Sequence, residues 1–248
     1  MVLKSALVLV SVCSEISRDG PGRAMFRFKQ IAGIFLNTVI FAALLFLPAE
    51  TIHWPRAWIF LGVVFVAAAL STFAIPEDLL NERFKPPVQR TQPLADKIIL
   101  IAFVASFVAV IVLIPLDVFR LHLMWPPAAA TSLFGLMLFA FGWWLITAAM
   151  VANAFAAPVV KLQKERGHHV VDSGPYRIVR HPMYSGAIPM LLGMALWFGS
   201  YAAAIAAILP ITLIAIRAVI EEKFLRRELP GYDQYISRTR FRLIPFVW

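Results

Sequence analysis

Charged residues and cysteine are both scarce in this chain of 248 residues. Asp, Glu, Lys and Arg make up 15% of it, whereas hydrophobic residues make up 60%. About a quarter of the residues in an ordinary soluble domain are charged, so this composition excludes that class. Cys13 is the only cysteine, which excludes a disulfide framework or a thiolate metal cluster within one chain. The sequence also lacks a P-loop, a GxGxxG fingerprint and a nucleophile elbow.

Long apolar runs fill nearly half of the sequence. Roughly 20 apolar residues make a membrane-spanning helix, and a helix satisfies every backbone polar group internally in lipid. We therefore predict an all-α, polytopic transmembrane bundle of about six spans. The runs are Ile31–Leu47, Trp54–Ile75, Ile98–Ile114, Ala128–Ala152, Met183–Phe198 and Tyr201–Ile220. Only Gly199 and Ser200 separate the last two runs, which predicts a tight hairpin that either spans the membrane or is partly re-entrant.

The net charge of +9 follows the expected membrane topology. Of the 23 Lys and Arg, all but Arg56, Arg120 and Arg217 lie before the first run, in alternate loops or after the last run. Cytoplasmic loops of membrane proteins are enriched in basic residues, so both termini and the loops 76–97 and 153–182 are predicted to be cytoplasmic. We expect a bacterial inner-membrane protein whose partners are membrane lipids rather than nucleic acid.

The 76–97 loop is polar and contains Pro76, Pro86, Pro87 and Pro93. We expect it to be a solvated connector. A short interfacial helix over Glu77–Phe84 is the alternative.

Ionic residues beside apolar runs are the most informative feature of the sequence. The stretch Gly174–Tyr184 is polar, and Arg217, Glu221 and Glu222 lie in or at the end of the last apolar run. Charge in or beside hydrocarbon is costly and usually marks a working site. Arg217 and Glu221 are four residues apart and share a helix face, so a plain ion pair is one interpretation. We favour a polar cavity, because Arg217 lies a full turn inside the run.

Three histidines, His168, His169 and His181, raise the question of a metal site. The HExxH spacing is missing, and no Cys or close Asp or Glu completes a set of ligands. We therefore predict no metal. Pro182 suits the first turn of the next helix, whose N-terminus would offer N–H groups to an anion.

These motifs resemble the isoprenylcysteine carboxyl methyltransferase and phospholipid methyltransferase family of integral membrane enzymes. The matching elements are Gly174-Pro175-Tyr176, Arg180-His181-Pro182-Met183-Tyr184, Arg217 with Glu221-Glu222, and Pro230-Gly231-Tyr232 with Tyr235. The resemblance covers about Asn153 to Trp248. It implies methyl transfer from S-adenosylmethionine to a lipidic or apolar acceptor, which could be a carboxylate, an amine or a thiol, at the cytoplasmic face. We divide the chain into a flexible leader (1–30), a four-helix membrane region (31–152) and a cofactor-binding region with hairpin and tail (153–248).

The resemblance also implies roles for individual residues. Residues that would line the adenosyl part of the cofactor are Gln163, His168, His169, Val170 and Val171. Residues that would hold the ribose and methionine part are Tyr176, His181, Pro182, Met183 and Tyr184. Glu221 would receive the cofactor's amino group and Arg217 would bind the acceptor, while Arg180, Arg217, Glu221 and Glu222 form the catalytic group. Because sterol-reducing membrane enzymes share a related carboxy-terminal half, an NADPH-dependent reductase is one alternative and a non-catalytic membrane protein is another.

Overall fold

The computed structural model describes residues 21–83, 94–156 and 162–248. Most of the predicted leader, including Cys13, lies outside these ranges. In chain order the helices are α1 (Pro21–Ala49), α2 (Pro55–Ala74), α3 (Glu77–Arg83), α4 (Leu94–Leu116), α5 (Ala129–Ala152), α6 (Pro182–Phe198), α7 (Tyr201–Ala206), α8 (Ile208–Glu228) and α9 (Tyr232–Arg238). The described residues form no strand, and their only β pairing is one isolated parallel bridge between Val179 and Phe241.

Among the described residues, five stretches are long and apolar enough to cross a membrane. They are Gln30–Ala49, Pro55–Ala74, Leu94–Leu121, Ala129–Ala152 and Tyr201–Glu228. Helix α6 is also apolar but has only 17 residues. It turns directly into α7 at Gly199, whose φ of 88° is a left-handed conformation that favours glycine. The all-α membrane bundle is therefore confirmed, and the fifth of the six predicted runs is shorter than the others.

Helices α5 and α6 pack closely because glycines line both contact faces. A Cβ atom at Gly142 would lie 2.4 Å from the carbonyl oxygen of Gly186, and one at Gly193 would lie 2.4 Å from that of Gly135. Small residues let membrane helices approach in this way. The contact fixes the first turn of α6, where the polar stretch ends, against the last turns of α5.

The expectation of a solvated connector is wrong for the start of the 76–97 loop. Glu77–Arg83 forms α3, in which Leu79 is fully buried and Leu80 is nearly so. These two leucines belong to a small apolar cluster with Met150 of α5, and Met183 of α6 packs against it. Burial of apolar surface stabilises the helix, and it brings the end of α3 beside the polar stretch.

Candidate active site

A cavity of about 500 Å³ lies between helices α2 to α6, α8, α9 and the loop that follows α5. His168, His181 and Glu221 line its polar part. Side chains deep in the membrane region, such as Trp143 and Phe103, line its apolar part. One hollow therefore joins the ionic residues of the sequence motifs to the apolar interior of the bundle.

Arg217 lies in the wall of this cavity and is held by a residue that the sequence motifs do not include. Its Nε donates a hydrogen bond of 2.8 Å to Oδ1 of Asp96, in the first turn of α4. The Asp96 side chain is fully buried and that of Arg217 is 8% exposed. The guanidinium carbon of Arg217 also lies 5.9 Å from the centre of the Tyr184 ring. Asp96 thus compensates the arginine charge within the membrane region, as a buried charge requires.

Glu221 lines the cavity one helical turn beyond Arg217. It accepts a hydrogen bond of 2.7 Å from the hydroxyl of Tyr184, and its carboxylate lies 3.8 Å from Nδ1 of His181. The Glu221 side chain keeps 27% of its surface exposed. This carboxylate is therefore positioned by α6 and remains accessible to a cationic ligand.

Glu222 points away from the cavity lining and binds three cationic side chains. Its oxygens lie 3.2 Å from Arg180 Nε, 3.2 Å from His181 Nε2 and 2.9 Å from Arg242 Nη2. Only 5% of the Glu222 side chain is exposed. This buried carboxylate connects α8 to the start of α6 and to the carboxy-terminal segment, residues 239–248, that follows α9.

The carboxy-terminal segment forms backbone hydrogen bonds with the residues just before α6. The N–H groups of Arg180 and His181 donate to the carbonyls of Phe241 and Arg242 at 2.9 and 3.0 Å. The hydroxyl of Tyr235 in α9 donates to the carbonyl of Tyr176 at 2.8 Å. Burial raises the pKa of the Tyr176 hydroxyl, so this cavity-lining group stays protonated at neutral pH.

The loop after α5 contributes an aromatic surface to the cavity. The His168 ring stacks on Phe155 with 4.6 Å between ring centres and 25° between planes. Burial lowers the pKa of His168, and the neighbouring charges of His169 and Arg166 lower it further. Gln163 is buried behind this surface, where its Nε2 donates to the Phe155 carbonyl at 2.8 Å. The imidazole of His168 is accordingly neutral at physiological pH.

The structure brings most of the predicted site residues to one cavity. Those that line it are His168, His169, Val170, Val171, Tyr176, Arg180, His181, Met183, Tyr184, Arg217 and Glu221. Those outside the lining are Gln163, Pro182 and Glu222. Sequence reasoning missed Asp96, Arg83 and Phe155. A carboxylate two residues before the apolar run that starts at Ile98 is the signal that could have identified Asp96.

The fold and the cavity define an integral membrane protein with an ionic site built into its carboxy-terminal helices. Residues 130–230 match the family described as Phospholipid methyltransferase. Over 92 residues the chain is 28% identical to Protein-S-isoprenylcysteine O-methyltransferase B of Arabidopsis thaliana, a match that covers 37% of this chain and 42% of that relative. These matches confirm that the carboxy-terminal part of the chain resembles this family of membrane methyltransferases.

Proposed function

We propose that the protein is an integral membrane methyltransferase that uses S-adenosylmethionine to methylate a lipidic or apolar acceptor at the cytoplasmic face. The observation that carries this proposal is the continuity of the cavity described above. It connects Arg217 and Glu221 to His168 and His181 at one end and to Trp143 within the membrane region at the other. A water-soluble donor and an apolar acceptor can therefore meet without leaving the protein.

The residues present fit S-adenosylmethionine. Glu221 is a half-buried carboxylate in the cavity wall and is suited to an ammonium group, and the stacked pair of Phe155 and His168 offers an aromatic face to an adenine ring. Met183 and Val170 add apolar contacts in the same cavity. When bound, the cofactor would supply an electrophilic methyl group on a sulfonium centre.

The protein's contribution to the reaction would then be alignment and exclusion of water. Orientation of two reactants can supply about 7–11 kcal/mol of the barrier in favourable cases. Arg217 is held in place by Asp96 and by contact with Tyr184, so its guanidinium is positioned in the cavity wall to orient an anionic acceptor. For an amine acceptor, Glu221 is the carboxylate in the cavity wall that could take the proton.

The acceptor would enter from the bilayer. The apolar part of the cavity contains Phe103, Trp143, Ile146, Met190 and Ile214, which suits an alkyl or prenyl chain. Basic residues in the 153–182 loop and the carboxy-terminal segment favour a cytoplasmic position for the polar end of the cavity.

Binding and transfer with purified protein in detergent test the proposal. The wild-type protein should bind S-adenosylmethionine in preference to NADPH, and it should transfer radiolabelled methyl groups into a total extract of lipids and small acids. Arg217→Ala should abolish transfer while retaining much of the cofactor binding. Full turnover by this variant contradicts the role of Arg217, and a wild-type protein that binds NADPH alone contradicts the methyltransferase assignment.

A further inference from the structure

Arg83, the last residue of α3, lines the same cavity as Arg217 although it comes from the 76–97 loop. It lies close to the aromatic and cationic groups of the site. Burial lowers the pKa of the Arg83 guanidinium, and the positive charge of Arg217 lowers it too, whereas Tyr176 and Tyr184 raise it. The two arginines therefore repel each other electrostatically across the cavity.

The described part of the cavity wall contains three arginines, and they differ in their partners. Arg217 is paired with Asp96, and Arg180 is paired with Glu222. Arg83 donates from Nη1 to the carbonyl of Ala156 at 2.9 Å, and no carboxylate among the described residues forms an ion pair with it. A guanidinium has five N–H donors, so this neutral contact leaves both its charge and most of its donors available to a ligand.

A purely structural role explains only part of this arrangement. A basic residue in the last turn of a helix complements the helix dipole, and the bond to Ala156 ties α3 to the chain after α5. Neither effect requires the guanidinium to lie in the wall of the cavity. A largely buried cation without a carboxylate is costly, and an anionic ligand is what would compensate it.

This inference rests on the proposed function, and the charges of the proposed cofactor also favour an anionic ligand at Arg83. Glu221 is the carboxylate available for the ammonium group of the cofactor. Asp96 compensates the charge of Arg217, so Arg83 and the sulfonium would supply the uncompensated positive charge beside the acceptor. A protonated amine would be repelled there, whereas an anionic oxygen would be attracted and could be shared by two guanidinium forks.

We propose that Arg83 is a specificity-determining residue, which together with Arg217 binds the anionic head group of the acceptor and selects a carboxylate over an amine. An apolar chain attached to that carboxylate would lie toward Trp143 and Phe103. A phosphodiester head group offers the same anionic chemistry. We favour the carboxylate because the oxygen that the arginines would hold is then also the atom that accepts the methyl group.

The test compares equilibrium binding of three amphiphiles that differ in head group: dodecanoate, dodecylamine and a dodecanoyl lysophosphatidylethanolamine. Titration calorimetry is done on the full chain in amphipol, with S-adenosylhomocysteine present. Arg83→Gln removes the charge but keeps an N–H donor for the Ala156 carbonyl, and Arg83→Lys keeps both. Arg226→Gln is the matched control, because Arg226 pairs with Asp233 and its side chain is 59% exposed.

The wild-type protein should bind dodecanoate more tightly than dodecylamine. Arg83→Gln should weaken dodecanoate binding about tenfold, the usual effect of losing one charge-assisted hydrogen bond. Arg83→Lys should retain most of the affinity, and Arg226→Gln should retain all of it. Binding of S-adenosylhomocysteine should change less than about twofold in each variant, since a role in the cofactor site is not proposed for Arg83.

The proposal would be overturned if the wild type did not bind dodecanoate, or if Arg83→Gln bound it as tightly as the wild type. It would also be overturned if Arg226→Gln lost as much dodecanoate affinity as Arg83→Gln. A loss of S-adenosylhomocysteine affinity together with dodecanoate affinity in Arg83→Gln would show that Arg83 is part of the scaffold and would likewise overturn the proposal. Arg83-dependent binding of the lysophospholipid alone would assign the residue to a phosphodiester instead. Failure of the wild type to bind S-adenosylmethionine would refute the proposed function, and the dodecanoate titration repeated without cofactor product would still show whether Arg83 recognises an anion.

Discussion

Arg217 and Asp96 form a buried ion pair that joins α8 to α4 across 121 residues of sequence, with 2.8 Å between Nε and Oδ1. A lone arginine in the membrane region would be costly, and the fully buried carboxylate of Asp96 offsets part of that cost. The pair also fixes the guanidinium in the cavity wall. Stability and the geometry of the site therefore depend on the same contact.

Replacing Asp96 with alanine should destabilise the protein strongly. Removal of one partner leaves the other charge buried and uncompensated, which costs about 3–5 kcal/mol in soluble proteins. Thermal unfolding in detergent should show a marked drop in melting temperature. The control is Asp233→Ala, which breaks the exposed pair with Arg226 and should cost no more than about 1 kcal/mol. Equal effects of the two variants would contradict the importance of burial.

The cost of placing a charge in hydrocarbon is enough to predict a polar cavity from the sequence. It is not enough to identify every residue that lines the cavity or pairs with Arg217. Arg217 lies inside an apolar run, so its need for a polar surrounding was predictable. Asp96 and Arg83 were assigned to a proline-rich connector, because composition says nothing about which end of a loop folds back. The position of Arg83 depends on the burial of Leu79 and Leu80 against α5, and that of Asp96 depends on the packing of α4 against α8; both are tertiary effects.

The adjacent residues Glu221 and Glu222 show a second limit. Successive residues on a helix point about 100° apart, so the two carboxylates cannot face the same side of α8. The sequence does not tell which of them faces the cavity. That choice depends on Arg180, His181 and Arg242, which converge on Glu222 from two other segments.

Glutamine at these two positions should therefore give different defects. Glu222→Gln removes the charge that binds three cations, so the carboxy-terminal segment should loosen and trypsin should cleave faster near Arg238 and Arg240. Glu221→Gln should leave the cleavage rate unchanged but weaken S-adenosylmethionine binding about tenfold, by loss of a charge-assisted contact. Limited proteolysis and a binding titration on both variants measure the two effects. An exchange of the two defects would contradict the assignment of Glu221 to the cavity.

Stability should fall as the pH drops below about 6.5, partly because of His168. In the unfolded chain a histidine has a pKa of about 6.5, and burial lowers the pKa of His168 in the folded protein. Above pH 6.5 the imidazole is neutral in both states. Between that value and the lower folded pKa only the unfolded state takes up the proton, so folding becomes less favourable. Melting temperatures measured from pH 5 to pH 8 test this linkage.

The variant His168→Gln should flatten part of this pH dependence. Glutamine does not titrate, so the proton uptake that favours the unfolded state is lost. The matched control, His53→Gln, removes an exposed imidazole outside the cavity. An unchanged pH profile in His168→Gln would show that other groups account for the acid sensitivity.

The close contact of α5 and α6 predicts that a single methyl group at Gly142 is harmful. A Cβ there would lie 2.4 Å from the Gly186 carbonyl oxygen and 2.7 Å from the Met190 backbone nitrogen, and backbone atoms cannot yield without moving a helix. Gly142→Ala should lower the melting temperature and, because α6 carries Tyr184 and begins directly after His181, weaken S-adenosylmethionine binding. Gly62→Ala is the control, since a Cβ at Gly62 meets nothing within 4 Å and alanine favours helix by about 1 kcal/mol. If both variants melt like the wild type, the two helices are not in backbone contact at Gly142.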